Sequence, residues 1–186
     1  MEVSAGGTLV GYDVIGDGRP VVLLHGLPST RKQMIDTFEP IFARRSGWRR
    51  IYPDLPGMGT TPGTPELANQ DALLEVVGEF VNTVTGGGPF VMVGSSYGAY
   101  TALGYNYRWG ERLAGLILSE PMIRSRAERQ LPEQTILIED ADVVAGLQAD
   151  EDFWTQVAVI QSADNLEFFR NSIKPGFIAA DQDFLA

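Results

Sequence analysis

The stretch Pro89–Leu103, PFVMVGSSYGAYTAL, constrains this chain more than any other. It opens as an uninterrupted apolar run, Pro89-Phe90-Val91-Met92-Val93, with the length and β-branched or aromatic content of a strand buried on both faces. It then reads Gly94-Ser95-Ser96-Tyr97-Gly98 and continues as Ala99-Tyr100-Thr101-Ala102-Leu103, a helix-compatible run. This is G-x-S-x-G placed between a strand and a helix. A serine on so sharp a turn must adopt a sparsely populated backbone conformation, and a side chain at either flanking position would collide with its neighbours, so both are glycine. Ser96 is expected to project above the sheet edge. The N-terminus of the following helix would aim free N–H groups at any anion forming beside its Oγ. The bland alternative is a Gly/Ser turn that merely connects strand to helix.

Taken in order, residues 7–16 and 20–25 (PVVLLH) read as two strands, and Gly16-Asp17-Gly18 between them predicts an antiparallel hairpin. The second strand is continuously apolar, hence central. It ends in His25-Gly26-Leu27-Pro28, followed by Ser29-Thr30 as a helix N-cap. The next helix should turn Met34, Phe38, Ile41 and Phe42 inward, with Pro40 kinking or shortening it. A short strand at 48–53 opens into the glycine-rich loop Asp54-Leu55-Pro56-Gly57-Met58-Gly59-Thr60-Thr61-Pro62. A long helix from about Pro65 carries Leu73, Val77, Phe80, Val81 and Val84 at helical spacing and ends at Gly86-Gly87-Gly88. After the helix that follows Gly98, Leu113–Ser119 reads as a further buried strand, closed by Glu120-Pro121. Strands alternate with helices from residue 20 to residue 121, which calls for a parallel sheet covered on both faces. Residues 122–186 show helix-like stretches around 141–148, 151–162 and 164–174 and no convincing strand.

The formal net charge is −10, and it is uneven: residues 1–121 hold 9 basic and 12 acidic side chains, residues 122–186 hold 5 and 12. Nucleic acid and anionic lipid both demand a basic footprint, so neither is expected as a partner. The chain has no cysteine, which removes disulfide and thiolate-metal chemistry. Neither a metal nor an organic cofactor is indicated. The first residues lack a basic and then apolar leader, no apolar run approaches bilayer length, and the chain reads as cytoplasmic.

HGLP after one strand, DLPGMGTTP after the next and GSSYG after the third, in this order, closely resemble the α/β-hydrolase family. The resemblance covers about residues 1–121, and it implies an incomplete α/β-hydrolase core, a mostly parallel sheet with helices on both faces. Residues 122–186 look like the family's helical cap. By the family's pattern Ser96 is the nucleophile, and the backbone N–H groups of Leu27 and Tyr97 form the oxyanion hole. Asp54 and its loop match a family loop that orients the site without reacting. His25 is the one histidine in the chain. In the family the histidine of this HG pair is structural, although a reading of His25 as general base is tempting. The family's base lies after a later strand, following the acid in chain order. No second histidine is present, and Glu120, where some members place their acid, also reads as an ordinary strand-end carboxylate.

The expectation is therefore the N-terminal core and cap of a longer serine hydrolase, inactive on its own because the catalytic histidine is absent. Such an enzyme would act on an ester, thioester, amide or activated C–C bond of a small acyl substrate through an acyl-enzyme. Acyl transfer to an alcohol shares every residue named. The alternative is a non-catalytic binding or receptor-like member, or a fragment that assembles with a partner. Leu113–Ser119 would be left as an open edge, through which copies of the chain would self-associate. Phe153, Trp154, Phe168 and Phe169 read either as pocket lining or as packing residues.

Overall fold

The computed structural model describes residues 1–124, 128–130 and 132–185. Its centre is a six-stranded sheet of order β1-β2-β4-β3-β5-β6, built from β1 (Glu2–Ala5), β2 (Thr8–Ile15), β3 (Arg19–Leu24), β4 (Trp48–Pro53), β5 (Phe90–Ser95) and β6 (Leu113–Ser119). β3 pairs parallel with both β4 and β5, and β5 pairs parallel with β6. Helices α1 (Arg31–Phe42), α2 (Gln70–Thr85) and α3 (Tyr97–Trp109) supply the crossovers. Alternation along β3 explains its unbroken apolar sequence. Val21 and Leu23 face Met34, Phe38 and Phe42 of α1, while Val22 and Leu24 face the layer that holds Val76, Val77, Phe80 and Val81 of α2 and Ala102 and Tyr105 of α3. Both sides of the strand are therefore in the core, and each such buried side chain stabilises the fold by about 1.5–3 kcal/mol.

The expected hairpin between β2 and β3 does not form. β2 pairs antiparallel with β4 instead, and the turn at Gly16-Asp17-Gly18 carries the chain past β4 into β3. The reason lies in β3: a strand apolar on both faces is satisfied by two parallel neighbours with helical crossovers, and β4 and β5 provide them. β2 has its hairpin partner on the other side, in β1, across a turn at Gly6 and Gly7. Helix α1 runs through Pro40 and ends at Phe42, with Ile41 52 % exposed rather than inward. α2 starts later than expected, at Gln70, after a separate short turn at Pro65–Leu67, and its Asn69 side chain accepts from Ala72 N. It stops where Gly86 adopts the left-handed conformation, φ 63°.

Beyond β6 the chain is mainly helical, with α4 (Ala141–Ala145), α5 (Asp152–Val157), α6 (Ala163–Phe168), a wide turn at Phe169–Ile173, α7 (Lys174–Ala179) and α8 (Gln182–Leu185). Two-residue strands β7 (Ile138–Glu139) and β8 (Ile160–Gln161) pair in parallel between them, a pairing too short to leave a sequence signal. This region has its own apolar cluster of Trp154, Ala158, Leu166 and Phe169. It rests on the loops at the sheet's C-terminal end: a Cβ on Gly176 would stand 2.7 Å from Ser29 Cα, and Phe184 packs on Gly57 and Gly63. Among the described residues, no helix is long and apolar enough to cross a membrane.

Glu151 ties the helical region together. It is fully buried, accepts two 2.7 Å bonds from the Arg170 guanidinium, and is reached by Gln148 N at 2.9 Å and Lys174 Nζ at 3.1 Å. The Arg170 fork, above all, holds its carboxyl down at about 2. A carboxyl depressed in the folded state contributes stability that is complete above its unfolded pKa and fades as pH falls toward the folded value. Thermal unfolding across pH should show this contribution intact near neutrality and shrinking from about pH 5 toward pH 2. Glu151→Gln should lower Tm at pH 7 and flatten that acid limb.

The sheet's other end is open. Among the described residues no strand pairs with the edge of β6 away from β5, and Ile117 is 54 % exposed, so this strand is half covered where the sequence predicts a buried one. Ser96 N donates to the Ser119 carbonyl at 2.8 Å, which sets the parity. Gly115, Ile117 and Ser119 turn their backbone groups to β5, and Ala114, Leu116 and Leu118 turn theirs to the open side. β6 carries no charged residue, and in a pure solution the one strand edge that can meet it belongs to another copy. We propose that copies associate here. Sedimentation velocity should give a mass that rises with concentration, and Ile117→Lys should suppress the rise.

Candidate active site

Ser96 sits between β5 and α3 with φ 52° and ψ −112°, a region that non-glycine residues rarely occupy. Such a conformation costs about 1–3 kcal/mol and persists where surrounding bonds over-determine it. Here they do. Ser96 N donates to Ser119 O, while its own carbonyl accepts from Ala99 N and Tyr100 N at 3.1 Å and from Met122 N at 3.4 Å. The flanking glycines have steric reasons. A Cβ on Gly94 would lie 2.4 Å from the Gly98 carbonyl oxygen, and one on Gly98 would lie 2.3 Å from the Leu24 carbonyl oxygen. The helix thus starts directly against the ends of β3 and β5. Tyr97, as its first residue, has an N–H with no intrahelical acceptor.

The HGLP loop closes on the same point. A Cβ on Gly26 would stand 3.3 Å from Ser96 Cβ and 3.7 Å from Gln33 Oε1, which places the loop, the serine and Gln33 around one small volume. Gln33 Oε1 accepts from Gly26 N at 3.3 Å. Leu27 follows, 39 % exposed. His25 is buried with both ring nitrogens engaged: Nε2 accepts from Leu55 N at 2.9 Å, so Nδ1 carries the proton and donates to the Gly26 carbonyl at 2.8 Å. Burial pushes its pKa below the usual histidine range, and the Gly26 bond offsets part of that. A neutral imidazole locked between two backbone groups has no lone pair to offer a hydroxyl, so the structure gives His25 a fastening role. The tempting reading as general base does not fit.

Asp54 is buried and central to the neighbouring loop. Its carboxylate accepts from Arg31 N at 2.8 Å, Arg31 Nη1 at 2.5 Å and Thr60 N at 2.9 Å. The first of these bonds caps α1. Thr30 makes no side-chain capping bond, so the cap expected from Ser29-Thr30 is delivered from the next loop. No local sequence pattern encodes this cap, because Asp54 is remote in sequence from the helix it caps. Arg31 continues to Asp13 at 2.8 Å, which joins β2, α1 and the Asp54 loop.

Glu120 lies just past β6 with φ 53°. It lines a cleft of about 470 Å3 together with Ser95, Ser119, Gln33, Phe153 and Phe168. Trp154 and Phe169 form part of the same wall while being core residues of the helical region, so these aromatics both pack and line. A larger cavity, about 580 Å3, lies along α2 and α3 between Gln70, Leu74, Tyr100 and Tyr107; Ser96 and the Gly26 loop line neither space, and Ser95 and Ser119 bring the first next to the serine.

A family model described as the alpha/beta hydrolase family matches residues 21–185. The chain belongs to the alpha/beta hydrolase family. Among solved structures, this alpha/beta hydrolase is similar to an alpha/beta superfamily hydrolase from Oenococcus oeni PSU-1, with TM-score 0.86 and 26 % identity over 100 % of this chain and 68 % of that one. It is also similar to a thermophilic esterase from Thermogutta terrifontis, with TM-score 0.59 and 29 % identity over 72 % of this chain and 49 % of that one. A curated relative, the 2-hydroxy-6-oxo-6-(2'-aminophenyl)hexa-2,4-dienoic acid hydrolase of Metapseudomonas resinovorans, is 30 % identical over 118 residues, 62 % of this chain and 40 % of the relative. The alpha/beta hydrolase described here is thus matched over less than half the length of that curated relative.

The contacts at Gly98 give a sharp expectation. Gly98→Ala places a Cβ against two carbonyl oxygens of the β3 end, Leu24 and His25, and should destabilise the fold by about 2–3 kcal/mol. Chemical denaturation measures it. Gly104→Ala, whose Cβ would meet flexible Leu74 carbons at 3.2 Å, serves as the tolerant control within the same helix.

Proposed function

We propose that the chain carries the nucleophile half of a serine hydrolase acting on an ester-like or other acyl bond of a small molecule. The observation that carries this reading is the turn at Ser96, φ 52°, with Gly26 against it. In this reading Ser96 Oγ attacks a carbonyl, and the N–H groups of Leu27 and Tyr97 hold the oxyanion. An acyl-enzyme results, which water or an alcohol resolves. Residues 1–121 form the core and 122–186 the cap. A serine at this position separates the chain from the dehalogenase and epoxide-hydrolase branches, which use a carboxylate. The names of two similar proteins, an esterase and a hydrolase of a dienoic acid, support hydrolysis as the class.

The proton on Ser96 Oγ needs a base, and the chain's one histidine is bonded at both nitrogens. Residues 1–186 by themselves are therefore proposed to be a weak catalyst, at the level of roughly 10³ to 10⁴ over water that binding and an oxyanion hole alone provide in a protease stripped of its triad. The same observation favours a second reading, a binding protein on a hydrolase scaffold.

A fluorophosphonate probe tests both. Slow labelling of the 186-residue chain that disappears in Ser96→Ala is the expected result. Labelling that persists in Ser96→Ala would remove Ser96 from its role, and rapid labelling would show that a base is already present. Complete inertness, with small ligands still bound, would favour the binding reading.

A further inference from the structure

We infer that Gln33 is a positioning residue for the oxyanion site: its side chain holds the Gly26 end of the HGLP loop so that the Leu27 N–H stays fixed beside Ser96. This role rests on the proposed chemistry of Ser96 and serves it. The helix cap that the sequence offers here goes unused. Thr30-Arg31-Lys32-Gln33 has the spacing of a capping box, in which the N-cap threonine and the glutamine three residues on would each accept from the other's backbone N–H. Thr30 makes no side-chain capping bond. Gln33 Oε1 accepts from Gly26 N at 3.3 Å instead, and Arg31 N, at the start of α1, donates to Asp54 at 2.8 Å. The buried Asp54 thus does the capping, which releases Gln33 to reach a different loop.

Two planar peptides meet at the Gly26 Cα, and without a Cβ the angle between them is set by bonding more than by sterics. One plane carries the Gly26 carbonyl together with the Leu27 N–H, and His25 Nδ1 donates to that carbonyl at 2.8 Å. The other plane carries the Gly26 N–H, and Gln33 is its acceptor. With both planes tied, the direction of the Leu27 N–H is set, and that N–H has no acceptor among the described residues. The anchor is firm as well. Gln33 N donates to Thr30 O at 3.0 Å and Thr37 Oγ1 donates to the Gln33 carbonyl at 2.7 Å, so the side chain springs from a closed helical turn. Because Gly26 N is a donor, the amide atom facing it is the oxygen. Gln33 Nε2 has no partner among the described residues, so the acceptor is the part of the side chain that carries the role. A Cβ on Gly26 would stand 3.3 Å from Ser96 Cβ. A rotation of the Gly26 peptide is therefore felt next to the nucleophile, where small misplacements are costly.

Two variants separate the acceptor from the shape: Gln33→Met removes it at similar length, and Gln33→Glu keeps it. In two-dimensional amide NMR spectra of the 186-residue protein, Gln33→Met should move the Gly26 amide proton upfield and speed its exchange at least about tenfold, with the Thr30 amide unmoved. Gln33→Glu should leave the Gly26 amide downfield near neutral pH and make its shift follow the titration of the introduced carboxyl in the acid range, a signature that stands even if Gln33→Met fails to fold. Ser96-dependent labelling by a fluorophosphonate should slow about tenfold or more in Gln33→Met. A Gly26 amide indifferent to both substitutions, or a change confined to Thr30 as an ordinary capping box requires, would overturn the inference. So would Ser96-dependent labelling that Gln33→Met leaves at full rate, with the serine chemistry itself intact. A wild-type chain inert to the probe removes that chemistry instead, and the Gly26 amide still decides whether Gln33 holds the loop.

Discussion

The structure depends on one turn. At Ser96 the backbone passes from β5 into α3 through a conformation that costs energy, and the surrounding bonds make it obligatory. Gly94 and Gly98 are required because the first turn of α3 lies against the ends of β3 and β5 with no room for a methyl group. Strain and packing are thus the same fact seen twice: the helix is drawn onto the sheet until the chain between them has one path left. The side chain at position 96 is placed by that path.

The second layer of the site is a set of fastenings that do not react. His25 holds the backbone of its own loop and that of Leu55. Asp54 gathers Arg31 and Thr60, and caps α1 in doing so. These groups are buried and fully bonded, so losing one partner leaves another stranded in a low-dielectric interior. Their effect on function passes through position: they set where the Gly26-Leu27 peptide stands relative to the serine.

Much of this was legible in the sequence, for identifiable reasons. β3 and β5 announce themselves because a strand buried on both faces has to be apolar at every position, and the G-x-S-x-G turn is visible because its steric demand falls on residues adjacent in sequence. Gly16-Asp17-Gly18 does not make a β2–β3 hairpin, because turn residues report that a chain reverses, and β4 inserts between the two strands without leaving a mark on either. The Asp54 cap, the Glu151 cluster and the cleft around Glu120 were out of reach for a related reason: each is made by side chains far apart in sequence, and no local pattern encodes their meeting. Membership of the alpha/beta hydrolase family accounts for the core and leaves substrate to the walls of the cleft.

The central claim is geometric, and an experimental crystal structure of the chain tests it most directly through the backbone at residue 96. The account predicts a φ near 52° there, the hydroxyl free of the core, and the Leu27 and Tyr97 N–H groups directed at one point beside it. An ordinary helical or extended φ at residue 96, with the side chain packed inward or those two amides pointing apart, would contradict it.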